Sequence, residues 1–211
     1  MTEDEARAWL TDTLDVSREA MVKLEMFARA VISENERQNL ISAATIPQIW
    51  ARHIVDSAQL LMLDEANEDG PWLDLGSGPG FPGIVIAILQ PRPVILVESR
   101  RKRFEFLAET ALMLGLDHVS VHAGRLEALA SRRVSTITAR AFAPLPKLLD
   151  LAHRFSTEKT LWLLPKGRSA REELESARSA WHGAFHVKPS ITDADAAIIV
   201  ATGVSPRKKA R

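Results

Sequence analysis

Four glycines fall within eight residues in the stretch Asp74-Leu75-Gly76-Ser77-Gly78-Pro79-Gly80-Phe81-Pro82-Gly83. Glycines at this density let a backbone turn sharply and approach a ligand closely. Read from Gly78, the stretch fits G-x-G-x-x-G, the fingerprint of dinucleotide sites. A pyrophosphate there needs free amides at the next helix N-terminus. Pro79 and Pro82 delete two such donors. Read from Gly76, the loop leaves a second ligand open, with Asp74 supporting the loop and Gly76, Ser77, Gly78 and Gly80 bringing backbone to the ligand. Glu98 ends a strand-like run about 20 residues beyond the loop, where a carboxylate accepts from ribose hydroxyls. Leu126 and Glu127, in Gly124-Arg125-Leu126-Glu127, supply an amide and a carboxylate to read an adenine edge. The chemistry indicated is the binding of some adenosine ligand.

The elements that must position these residues follow from periodicity. Leu24, Phe27, Ala28 and Val31 sit at i, i+3, i+4 and i+7, a single apolar stripe on a helix. A second helix is expected from Thr45, with Pro47 in its first turn, to beyond Leu61. Asn35 to Ala44 connects the two. From Pro71 the rhythm alternates. Strands are expected at Trp72–Leu75, Val94–Glu98, Val119–Val121, Thr136–Thr138, Leu161–Leu164 and Ala196–Ala201. Helices are expected at Ile84–Leu89, at Arg101–Leu116 (with Phe104, Leu107, Ala108 and Ala111 on its apolar side), at Leu145–Phe155 and at Ala170–Trp181. Such alternation implies an α/β fold, a mostly parallel sheet with helices on both faces. Ligands then bind outside the carboxyl ends of the strands. The expected organisation is an N-terminal helical extension over 1–69 packed on a Rossmann-like domain over 70–205, with a disordered basic tail over 206–211.

Composition narrows the function classes. The 211 residues hold no cysteine, which excludes thiolate nucleophiles, disulfides and cysteine-ligated metals. The six histidines lack ligand-like spacing, so no metal site is expected. A cysteine-free chain fits a reducing cytoplasm. Glu3, Asp4 and Glu5 near the start do not read as a secretion signal, and no apolar run approaches the ~20 residues of a membrane span. Formal net charge is zero, so any polyanion must be met by local cation clusters: Arg100 to Arg103, Arg132 with Arg133, or Arg207 to Arg211. Nothing demands a dimer, and a monomer is expected.

The loop Asp74-Leu75-Gly76-Ser77-Gly78-Pro79-Gly80 resembles the first motif of class I S-adenosylmethionine methyltransferases. Three further segments join it: Arg52-His53-Ile54-Val55-Asp56-Ser57 upstream, Val97-Glu98-Ser99 with Lys102, and Ala139-Arg140-Ala141. Together, from about Asn39 to Gly167, they resemble the RsmG (GidB) family of 16S ribosomal RNA guanine-N7 methyltransferases. The resemblance implies S-adenosylmethionine as cofactor, with contacts at Gly76, Phe81, Leu126, Glu127 and Arg140. It implies 16S rRNA as partner, within the 30S subunit or an assembly intermediate. Two departures stand out. Asn35-Glu36-Arg37-Gln38 replaces a usual Trp-Asn pair, and Leu126 stands where alanine or valine is usual. Guanine N7 is an unprotonated acceptor, so the enzyme's work is positioning rather than proton abstraction. Arg140, Lys166, Arg52 and His53 are the candidates for holding the base. A methyltransferase acting on a small molecule or a protein is the alternative, one that leaves the Arg52-His53 segment without a purpose.

Overall fold

The computed structural model describes residues 1–65 and 70–207. Two helices open the chain. α1 (Glu3–Asp12) starts with a capping box in which Thr2 and Glu5 satisfy each other's backbone donors. α2 (Arg18–Asn35) buries Leu24, Phe27, Ala28 and Val31, the stripe read from periodicity. Residues 43–63 form one winding helical segment of changing pitch: 3-10 over Ala43–Gln48, π over Trp50–Val55, α over α3 (Asp56–Ala58), and 3-10 over Gln59–Leu63. The Glu3 carboxylate accepts from the amides of Trp50 and Ala51, at 3.1 and 3.0 Å, and fastens α1 to the π turn.

A seven-stranded sheet follows. Its strands are β1 (Trp72–Leu75), β2 (Val94–Glu98), β3 (Val119–Ala123), β4 (Thr136–Ala139), β5 (Leu161–Lys166), β6 (Trp181–Pro189) and β7 (Ala197–Pro206). Their order is β3-β2-β1-β4-β5-β7-β6. The first five are parallel, and β7 runs antiparallel to both β5 and β6. β1, β2 and β4 are buried along their whole length, as strands covered on both faces must be. The helices are α4 (Gly83–Leu89), α5 (Arg101–Met113), α6 (Leu145–Ala152) and α7 (Ala170–Arg178). One core cluster joins α1, α2 and the 43–63 segment to α4 and one face of the sheet. The other lies beneath α6 and α7 on the opposite face. No described helix is long and apolar enough to cross a membrane.

Several elements differ from expectation. β6 replaces the end of the expected last helix: α7 stops at Arg178, and Trp181 opens a strand. α5 buries Phe106, Leu107, Thr110 and Ala111, whereas Phe104 and Ala108 are only half-buried. The last strand extends to Pro206, and the Arg207 amide bonds the Ala180 carbonyl at 2.8 Å. The expected disordered tail otherwise lies outside the described residues.

Candidate active site

β1 delivers the glycine loop to the carboxyl edge of the sheet. Gly76 leaves the strand at φ +65°, and a Cβ there would stand 2.6 Å from the Phe142 ring. Only glycine fits that conformation and that space. The Ser77 amide donates to the Val97 carbonyl at 3.1 Å, and the Gly78 amide to Glu98 Oε2 at 2.9 Å. Glu98 Oε1 accepts from the Arg100 amide at 2.7 Å. Glu98 therefore clamps the loop to the end of β2, and each oxygen keeps a lone pair for a further donor.

Asp74 is fully buried beneath the loop. The Trp72 indole donates to Thr138 Oγ1 at 2.9 Å, and the Thr138 hydroxyl donates to Asp74 Oδ1 at 2.8 Å. Asp74 Oδ2 has no partner. Burial pushes this carboxyl up to about 6, against the pull of the Thr138 and Ser77 hydroxyls.

The π turn aims the Arg52-His53 pair at the same edge. Arg140 Nη2 lies 2.8 Å from His53 Nδ1. A guanidinium only donates, so Nδ1 accepts, Nε2 carries the proton, and Nε2–H donates to Thr45 Oγ1 at 2.9 Å. His53 also stacks on Phe81, with ring centroids 5.0 Å apart. Burial first, then the Arg140 and Arg52 charges, push the imidazole down to about 3. It is neutral at physiological pH, with both nitrogens engaged. Arg140 Nη1 stands 3.5 Å from Asp56 Oδ2 and makes no hydrogen bond. Asp56 Oδ1 is held by Thr192 Oγ1 and Gln59 Nε2, at 2.8 and 2.9 Å.

Three cavities share these walls. One of about 200 Å³ lies against Gly76, Ser77, Gly78, His53, Phe81 and Arg140. One of about 290 Å³ runs past Gly76 and Val97 to Leu126 and Glu127, with Phe142 on its rim. The largest, about 600 Å³, is lined by Arg52, Asp56, Arg140, Phe142, Lys166 and Asp193. Asp74 and Gly80 sit behind the loop rather than in a cavity wall: a Cβ at Gly80 would meet Ile84 at 2.7 Å. Ala141, between the first and third cavities, adopts φ +52°, a strained conformation of the kind found at functional sites.

Lys166 is the candidate most engaged by the protein's own acceptors. Its Nζ donates to the Ala143 carbonyl at 3.0 Å and to Glu173 Oε2 at 2.8 Å, and its side chain is 10 % exposed. It ties β5 to α7 and to the loop after β4. Sequence reading missed Phe142, the wall between two cavities, and the Asp56–Thr192 link. An aromatic two residues beyond Arg140 is the one signal that pointed to the former.

The cradle suits S-adenosylmethionine on its own features. Arg140 lines the cavity beside the loop and its Nη1 makes no hydrogen bond, as a ligand carboxylate requires, while Asp74 lies beneath the loop against Gly83. The Gly76–Phe142 approach leaves backbone, not side chain, facing the space. The strand order with its antiparallel β7, and a glycine loop opposite an acidic strand end, define a class I S-adenosylmethionine-dependent methyltransferase.

Comparisons narrow the class. A glycopeptide N-methyltransferase, MtfA, complexed with S-adenosylmethionine, superposes with a TM-score of 0.59 at 12 % identity over 71 % of this chain and 94 % of its own. An S-adenosylmethionine-dependent methyltransferase from Aquifex aeolicus does so with 0.56 at 16 % identity, over 74 % and 92 %. Residues 20–197 match the family GidB, described as rRNA small subunit methyltransferase G. Ribosomal RNA small subunit methyltransferase G of Sphingopyxis alaskensis is 54 % identical over 98 % of this chain and 89 % of its own length. The Rhizorhabdus wittichii protein of the same name is also 54 % identical, over 99 % and 96 %. The chain belongs to this GidB family of small-subunit ribosomal RNA methyltransferases.

Proposed function

We propose that this protein transfers the methyl group of S-adenosylmethionine to N7 of a guanine in 16S rRNA, acting as a cytoplasmic monomer on the 30S subunit or an assembly intermediate. The observation that carries the acceptor atom is the state of His53. The histidine nearest the glycine loop accepts from Arg140 at one nitrogen and donates to Thr45 from the other. It is not available to remove a proton, and N7 has none to remove. The cofactor supplies an electrophilic methyl carbon, and the chain's residues bind, orient and exclude water. Arg140 Nη1 is the group for the amino-acid carboxylate, and Asp74 supports the loop from beneath or reaches the ammonium through water. Glu98 serves the ribose, and Leu126 with Glu127 borders the adenine. Such positioning lowers a barrier by roughly 7–11 kcal/mol.

Contact with the RNA backbone falls to the groove of Gln38, Asn39, Arg100, Arg101, Lys102 and Arg103, beside the glycine loop. The test is transfer of labelled methyl to small subunits from cells lacking the protein, followed by nucleoside analysis. A 7-methylguanosine peak is expected. Label in a different nucleoside, or in a metabolite or protein only, overturns the reading.

A further inference from the structure

The cavity lined by Arg52, Asp56, Arg140, Lys166, Glu173 and Asp193 holds three carboxylates and three cations, and most are already committed. Glu173 is saturated by Lys166, the Leu145 amide and the Ser169 hydroxyl. Asp56 serves Thr192, Gln59 and Arg140. Lys166 is enclosed, and Arg140 faces His53 and Asp56. The pair left open to an entering ligand is Arg52 and Asp193. Arg52 Nη1 and Asp193 Oδ2 are 2.8 Å apart, and their side chains are 39 % and 31 % exposed, the largest exposures among the six. Asp193 Oδ1 accepts from the Asp195 amide at 3.0 Å, which fixes the carboxylate in the turn between β6 and β7. Phe142, Pro144 and Pro165 give the same cavity apolar walls, and Phe142 separates it from the space beside Gly76.

A cation beside a carboxylate complements several base edges, and guanine is the base that offers the carboxylate two adjacent donors. Guanine presents the O6 acceptor next to two donors, N1–H and the 2-amino group. Adenine reverses the pattern, with an amino donor next to the N1 acceptor. Resting on the guanine reading above, we propose that this cavity receives the target base and that Asp193 is its specificity-determining residue. The Asp193 carboxylate accepts from the 2-amino group and N1–H, Arg52 donates to O6, and N7 is left free toward the glycine loop. The edge read is the Watson–Crick edge, so the target must be unpaired when bound. Single-stranded segments are where RNA offers that edge to protein.

The test crosses enzyme variants with a base analogue. Small subunits are reconstituted with the mapped target as guanine or as inosine, which keeps N7, O6 and N1–H and lacks only the 2-amino group. The wild type is expected to methylate inosine at least ten times more slowly in kcat/KM. Asp193→Ala is expected to be slower on guanine and to treat the two bases within twofold of each other. Asp193→Asn, which keeps an acceptor and the side-chain shape, is expected to fall between them. Affinity for S-adenosylmethionine should be unchanged in both variants, which reports that the loop and the fold are intact. Equal wild-type rates on the two bases, or full discrimination retained by Asp193→Ala, overturns the proposal. Failure of the wild type to modify the guanine particle at all overturns the underlying reading instead.

Discussion

At the scale of single residues the site is a set of unequal charges held in fixed relation. His53 is kept neutral by burial and by Arg140, so its folded value lies below the free value of 6.5. The unfolded chain takes up that proton first, and stability is lost as pH falls from about 6.5 toward about 3. His53→Gln should flatten urea midpoints over that window. Asp74 has the opposite sign. Its folded value of about 6 lies above the free 3.8, so its burial costs nothing below that value and its full amount above 6. Asp74→Asn should gain up to about 3 kcal/mol at pH 7 relative to pH 4 without cofactor, at 1.36 kcal/mol per unit, and should bind S-adenosylmethionine more weakly. Arg140→Ala should lower methyl transfer at least ~100-fold, roughly 2.7 kcal/mol, and raise the His53 imidazole toward its free value in an NMR titration. That Asp74, Gly76 and Glu98 meet at one edge of the sheet was legible because a strand-to-loop turn is local in sequence. The fate of Lys166 was not, since it depends on Glu173 in a helix that sequence placed without orienting.

At the scale of elements, legibility tracked burial. β1, β2 and β4 announce themselves as unbroken apolar runs because both faces are covered. β6 is an edge strand with most side chains exposed, so it carries no hydrophobic period to read. The π turn was invisible for another reason: its geometry comes from tertiary contacts, among them the Glu3 carboxylate on two of its amides. Glu3→Ala should leave those donors bare, cost about 1–3 kcal/mol and raise hydrogen exchange at Trp50 and Ala51. α4 approaches β2 so closely that a Cβ at Gly83 would lie 2.3 Å from Leu96 Cδ2 and 2.8 Å from Asp74 Oδ2. Gly83→Ala should therefore destabilise by roughly 1–3 kcal/mol in chemical denaturation, and weaken cofactor binding through Asp74.

Across the whole molecule, a formal charge of zero conceals a cationic stretch at one edge. Arg101 is partnered by Glu105 at 2.7 Å, and Arg103 reaches the Asn39 carbonyl at 3.2 Å. If Lys102 meets a phosphate, Lys102→Ala should lower the slope of log affinity for the particle against log salt by about one, while binding of free cofactor stays unchanged. The alternation of strands and helices made the parallel half of the sheet readable from sequence. The antiparallel half depends on a polar hairpin and was read only in part. That hairpin has a consequence in time. Asp56 is pinned by Thr192, 136 residues further along the chain. A domain folds as a unit during synthesis, and the clasp that completes the guanidinium's surroundings cannot close until Thr192 is available to Asp56. The surroundings of Arg140 on its Asp56 side are therefore complete only once the β6–β7 hairpin has left the ribosome that made it.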